Sequence, residues 1–238
     1  MNKLVKSIPN TLTCCNLFSG CVAAVFAFWG DFDYAAIAVV VAAVFDFFDG
    51  FAARGLKAFS PLGGDLDSLA DMVSFGLAPG VVLYSYLCAT KTGTAHEVLP
   101  FVAFLIPVFS ALRLAKFNID TRQTTSFIGL PTPANALFWV FAIATLGHHG
   151  LSLSPLGIVV VVAIELLTCY LMVSELPMFS LKFHDFSWAN NKIRYVFLAL
   201  SLILILVLRM ESMPIIIVMY ILMSIVEDIA MKTNSPSN

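Results

Sequence analysis

Asp46–Asp71 reads DFFDGFAARGLKAFSPLGGDLDSLAD, and two strongly apolar runs flank it, Tyr34–Phe45 before and Met72–Ala89 after. Carboxylates at the ends of membrane-length segments are costly unless paired or solvated, so a cluster of them marks a functional site. Asp46 and Asp49 are three residues apart, Asp67 and Asp71 four apart. On helices, each pair projects from one face. Two such faces make a cage, and the repulsion between four carboxylates is most simply relieved by one or two hard divalent cations with oxygen ligands. Acids that merely pair with Arg54 and Lys57 would leave four carboxylates facing two cations.

The rest of the chain shares the apolar character of the flanks. Of 238 residues 60% are hydrophobic and 12% charged, and the mean hydropathy is +0.92. That excludes a soluble domain of this size and leaves room for about eight spans of roughly 20 residues. The expectation is therefore an all-α polytopic membrane protein, one membrane domain over residues 1–238. Cys14, Cys15, Cys21, Cys88 and Cys169 lack metal-ligand spacing and read as small buried hydrophobes. Ser19-Gly20-Cys21 loosely resembles a lipoprotein cleavage site, but the apolar run continues past it to Trp29, so the first segment is expected to be retained.

In chain order, residues 2–8 read as a short basic stretch and Pro9-Asn10-Thr11 as a turn at the membrane interface. Spans are expected at about 11–29, 34–53, 67–89, 98–115, 134–146, 156–176, 193–208 and 214–230. Ser60–Gly64 reads as a turn cluster that lets Asp67 open the third span. A polar loop is expected from the sixth span to Asn191. His148 and His149 read as a solvated loop rather than a metal site, and Glu165 and Glu175 carry no assigned role. With the N-terminus inside, Lys3, Lys6, Arg54, Lys57, Arg113, Lys116, Arg122, Lys182, Lys192, Arg194 and Lys232 all fall inside, and only Lys91 and Arg209 outside. Both termini are then cytoplasmic, and so is the acidic cage.

Read position by position, the central stretch is Asp46-x-x-Asp49-Gly50-x-x-Ala53-Arg54, eight residues, Gly63, three residues, Asp67, three residues, Asp71. It resembles the signature of the CDP-alcohol phosphotransferases, which transfer a substituted phosphoryl group from a CDP-linked donor to an alcohol and release CMP. The resemblance extends to Pro9-Asn10-x-Leu12-Thr13-x-x-Asn16, Ser74-Phe75-Gly76-x-Ala78-Pro79, Ala111–Asn118 and Gly129–Asn135. Within the family it is to bacterial, membrane-integral phosphatidylserine synthases. Two positions depart from the pattern: Lys116 replaces a more usual arginine, and Asn135 stands where small residues usually follow.

That resemblance implies a catalytic core at roughly 9–135, with spans six to eight completing the bundle. It implies that Asp46, Asp49, Asp67 and Asp71 hold two divalent cations, Mg²⁺ or Mn²⁺, with Asp71 doubling as general base. Asn10, Thr13, Gly50, Ala53, Arg54 and Gly63 would receive the CDP moiety. The substrates would be CDP-diacylglycerol and L-serine, in an inner-membrane homodimer with its site facing the cytoplasm and no nucleic-acid partner. Phosphoryl transfer by positioning and charge neutralisation fits such a residue set. For the serine carboxylate the candidates are Arg113, Lys116 and Asn118 at the end of the fourth span. A sister enzyme using glycerol phosphate or inositol phosphate, and a cation-coupled transporter, are the rival readings.

Overall fold

The computed structural model describes residues 3–90, 98–120, 127–150, 153–179 and 187–234. Lys91, Arg122 and Lys182 lie outside the described residues, as do the side chains of Lys3 and Lys6. The chain opens with α1 (Lys3–Trp29) and α2 (Phe32–Gly55), which pack along one another. Ala23, Ala27, Ala35, Ala36, Ala38 and Ala42 are all buried, and such small side chains let helix backbones approach closely. The turn expected at Pro9 is instead the interior of α1. Proline there deletes one backbone bond near the helix start, and the Thr11 hydroxyl adds one back by donating to the Ser7 carbonyl at 3.0 Å.

After α2 the chain turns through Lys57, which has φ 47°, into α3 (Pro61–Asp71). The helix starts six residues before Asp67, because Ser60 caps it, accepting from Gly63 N at 3.0 Å, and Pro61 takes the first position. A π-helical turn, Met72–Leu77, joins α3 to α4 (Ala78–Ala89). Together they form one rod.

A 3₁₀ turn (Leu99–Phe104) leads into α5 (Leu105–Ile119), and then come α6 (Thr132–His148) and α7 (Pro155–Val173). α8 (Trp188–Leu208) and α9 (Ser212–Asn234) are separated by a 3₁₀ turn at Arg209–Glu211. α8 begins within the loop expected to reach Asn191, and non-helical dihedrals at Asn191 mark a kink there. The fold is thus all-α apart from one ribbon, in which β1 (Phe127–Ile128) pairs antiparallel with β2 (Pro177–Met178). Each expected span lies on a helix. Among the described residues, six stretches are long and apolar enough to cross a membrane: Ser7–Trp29, Phe32–Gly55, Pro61–Ala89, Leu99–Ile119, Pro155–Val173 and Asn191–Ala230.

α6 is central, packing on α2, α4 and α9, while α7 packs on α5. The Trp139 indole donates to Thr168 Oγ1 at 3.1 Å and ties α6 to α7. Glu165, on the inward stripe of α7, is fully buried, and neither of its carboxylate oxygens has a hydrogen-bond partner. At the end of α6, His149 Nε2 lies 2.9 Å from Glu211 Oε1, so this histidine pairs across to the α8–α9 turn instead of standing alone in a loop.

The ribbon belongs to a larger clasp. Gly129 N donates to Leu176 O at 2.8 Å and Leu130 N to Leu171 O at 2.9 Å. Gly129 has φ +76°, and a Cβ there would stand 2.5 Å from the Met172 carbonyl oxygen, so only glycine fits. Just past β2, the Phe179 ring meets that of Tyr220 at 4.8 Å, and the Tyr220 hydroxyl donates to the Phe179 carbonyl at 2.9 Å. The segments after α5 and α7 are thereby fastened to each other and to α9.

Candidate active site

The last three turns of α2 and the last two of α3 bring the four acids together. One carboxylate oxygen from each of Asp46, Asp49 and Asp67 lies within 4.8 Å of the other two. Asp71 completes the set, in electrostatic contact with all three. α1 supplies the polar groups that fix them. Thr13 Oγ1 lies 2.6 Å from Asp49 Oδ2 and 3.0 Å from the Pro9 carbonyl; its single proton goes to the carboxylate, the stronger acceptor. Asn16 Nδ2 donates to Asp71 Oδ1 at 3.1 Å.

Asn16 is itself held in place. Its carbonyl accepts from Ser74 Oγ in the π-helical turn at 2.9 Å. One turn along α1, Gly20 lets the turn approach, since a Cβ there would come within 2.6 Å of Ser74 Cα. On the far side of the same rod, Gly76 faces Ser110 and Gly80 faces Pro107 of α5. Small residues on both flanks thus set how close α1 and α5 come to the acids.

Among the described residues, no Lys or Arg forms an ion pair with any of the four carboxylates. Three acids within 4.8 Å, one of them held by a hydroxyl, with the amide-held Asp71 beside them and no bonded cation among the described residues, fit a divalent metal in donor type and spacing.

Beside the acids is a cavity of about 230 Å³ whose lining includes Asn10, Thr13, Asp49, Gly50, Ala53, Gly63 and Asp67. Of the six residues expected to receive CDP, five line it. Arg54 is exposed, with a guanidinium nitrogen 3.6 Å from where a Cβ on Gly50 would stand.

The three candidates at the end of α5 part company. Arg113 turns inward: it is 6% exposed, Nη1 donates to Thr132 Oγ1 at 2.9 Å, and the group is in electrostatic contact with Asp71 and Tyr220. Lys116 is engaged elsewhere, with Nζ 2.6 Å from Glu175 Oε1 and 3.3 Å from the Val173 carbonyl. Asn118 Nδ2 donates to Ser68 Oγ at 2.9 Å and ties α5 to α3. Of the three, then, only Arg113 is buried toward Asp71; Lys116 is paired with Glu175 beyond α7, and Asn118 is bonded to Ser68, the neighbour of Asp67. Asn16 and Thr132 are site residues that reading by spacing did not assign. The signals for Asn16 were its place in the Pro9–Asn16 landmark and its position three residues after Thr13 on one face of α1.

A helical bundle carrying this acidic cluster defines a class. Residues 6–173 match the CDP-alcohol phosphatidyltransferase family, and the chain belongs to it, as a transferase. Among relatives, it is 33% identical over 181 residues to the CDP-diacylglycerol--serine O-phosphatidyltransferase of Bacillus subtilis, covering 74% of this chain and 92% of that one. It is 37% identical over 139 residues to the enzyme of the same name from Helicobacter pylori, covering 57% of this chain and 56% of the relative. With the archaetidylserine synthase of Methanothermobacter thermautotrophicus it shares 34% identity over 133 residues, 55% of each chain. The family match ends at the last residue of α7, leaving α8 and α9 beyond it.

Proposed function

We propose that this protein transfers the phosphatidyl group of CDP-diacylglycerol to the hydroxyl of L-serine, giving phosphatidylserine and CMP. The observation that carries the reading is the acidic cluster at the edge of a cavity of about 230 Å³ lined by Gly50, Ala53 and Gly63. The serine-using relatives support the choice of acceptor.

Asp46, Asp49, Asp67 and Asp71 would hold two divalent cations, Mg²⁺ or Mn²⁺. When bound, these neutralise charge on the diphosphate oxygens and on the departing CMP. The nucleotide occupies the cavity, where Gly50 and Ala53 leave room beside the helix, and Arg54 at the rim balances diphosphate charge. Asn16 holds one oxygen of Asp71 and so aims the other. Asp71 takes the proton of the serine hydroxyl, whose oxygen attacks the lipid-side phosphorus. The phosphorus–oxygen bond to CMP then breaks and CMP leaves. Arg113, facing Asp71 from α5, is positioned to receive the serine carboxylate.

One membrane domain with eight crossings completes the proposal, in the inner membrane as a homodimer. α6, 17 residues long, crosses in addition to the six long stretches, and Asn191–Ala230 crosses twice because Arg209, with φ 51°, breaks it. With both termini cytoplasmic, Arg54, Lys57, Arg113, Lys116, Lys192, Arg194 and Lys232 lie inside and Arg209 outside.

The test is purified protein with CDP-diacylglycerol, serine and Mn²⁺ or Mg²⁺, assayed for CMP and phosphatidylserine. Both products should appear together, vanish on chelation and return with metal. Full activity after exhaustive chelation would refute the metal assignment, and CMP release that requires a phosphorylated alcohol would refute the acceptor.

A further inference from the structure

Among the described residues, three on the acidic end of the bundle carry polar atoms that are buried without a hydrogen-bond partner: Asn16 Oδ1, Arg113 Nε, and both Oδ1 and Nδ2 of Asn135. Protein interiors leave few such groups, and each calls for an explanation. Asn16 and Arg113 already border Asp71, the first by a hydrogen bond and the second by electrostatic contact. Asn135, fully buried, lies one turn into α6 on the same face as Thr132, which holds Arg113.

Its depth follows from the helix packing. Gly147, near the end of α6, packs on Phe32 at the start of α2, while the start of α6 is tied through Thr132 and Arg113 to the acidic end. The two helices are therefore antiparallel. Going from residue 147 to 135 along α6, and from 32 to 44 along α2, covers about 18 Å on each. Asn135 is then level with Val44, less than a turn from Asp46.

Chemically, these atoms form a matched set. Arg113 Nε and Asn135 Nδ2 are donors, and Asn16 Oδ1 and Asn135 Oδ1 are acceptors. A carboxylate takes donors and an ammonium takes acceptors, so one α-amino acid satisfies both kinds. A phosphorylated alcohol offers its anion to the donors but no cation to the two amide oxygens, which it meets only with neutral hydroxyls. We infer that Asn135, an amide where small residues usually follow, is a specificity-determining residue particular to this chain, which together with Arg113 and Asn16 reads the carboxylate and the ammonium of the acceptor as a pair. The inference rests on the amino-acid acceptor proposed above.

The experiment titrates serine at saturating CDP-diacylglycerol in the wild type, Asn135→Leu and Asn135→Ala, with CMP release as the readout and thermal unfolding alongside. In both variants the serine KM should rise by about tenfold or more while the CDP-diacylglycerol KM stays within about twofold, as expected when a polar acceptor contact is lost. Asn135→Leu should unfold at or above the wild-type temperature, because it removes an unpartnered buried amide. If that variant does not survive extraction, Asn135→Ala decides. Wild type should also discriminate strongly against ethanolamine, which lacks the carboxylate, and against 3-hydroxypropionate, which lacks the ammonium; the variants should discriminate less. An unchanged serine KM in folded variants of an enzyme that uses serine overturns this inference alone. A wild type that ignores serine and uses glycerol phosphate overturns the acceptor reading and this inference with it.

Discussion

Asp71 differs from the three acids beside it in having an amide donor on one of its oxygens, while Asp49 is held by a hydroxyl and all four lack an ion-paired cation among the described residues. In the mechanism proposed above, that difference marks Asp71 as the acid that also accepts the proton. Asp71→Asn should lower turnover by about a hundredfold or more, the usual scale for loss of a general base, while CDP-diacylglycerol binding is retained. Asp46→Asn should instead shift the Mn²⁺ titration to higher concentration, and an unshifted curve would remove it from the ligand set. The four acids were legible in the sequence because their spacings of three and four fit one helix face each. Asn16 was not, since a lone amide in an apolar helix declares nothing until Ser74 and Gly20 bring it to Asp71. Nor was the fate of Lys116, whose partner Glu175 comes from another helix end.

At the scale of elements, the π-helical turn does the positioning. A turn of this kind accommodates one residue more than an α-helix would, so the acidic face of α3 and the buried face of α4 are offset around one rod. MVSFGL reads as ordinary apolar helix, so nothing in the pattern announced the wide turn. Gly20→Val tests the facing surface: α1 must retreat from Ser74, and kcat should fall by about tenfold or more as Asn16 loses Asp71. In α7, Glu165 is a buried acid with no hydrogen-bond partner. Replacing it with leucine removes a desolvation cost of about 1–3 kcal/mol and should raise the unfolding temperature, measured on the detergent-solubilised protein. An unfolding temperature that falls would mean that the acid has an occupant.

For the whole molecule, the positions of Lys57 and Arg209 give the simplest test of topology. Single cysteines there, in a background free of other cysteines, should label from opposite sides of a sealed membrane, Lys57→Cys from the cytoplasm. Labelling of both from one side would remove a crossing between them. Hydropathy made the helices legible from end to end, because every expected span falls on one. It could not reveal the clasp, which joins Phe127–Leu130 to Leu171–Leu176 and Met178 through backbone bonds that hydropathy does not register, and then Phe179 to the hydroxyl of Tyr220. The clasp also imposes an order in time. The acids, Thr13 and Asn16 are all in place once the first 90 residues have been made, but the amides of Gly129 and Leu130, at the threshold of α6, wait for carbonyls synthesised some forty residues later. On the mechanism proposed above, the chain during its own birth therefore completes the side of the site that grips the donor well before the side that selects what the donor will be joined to.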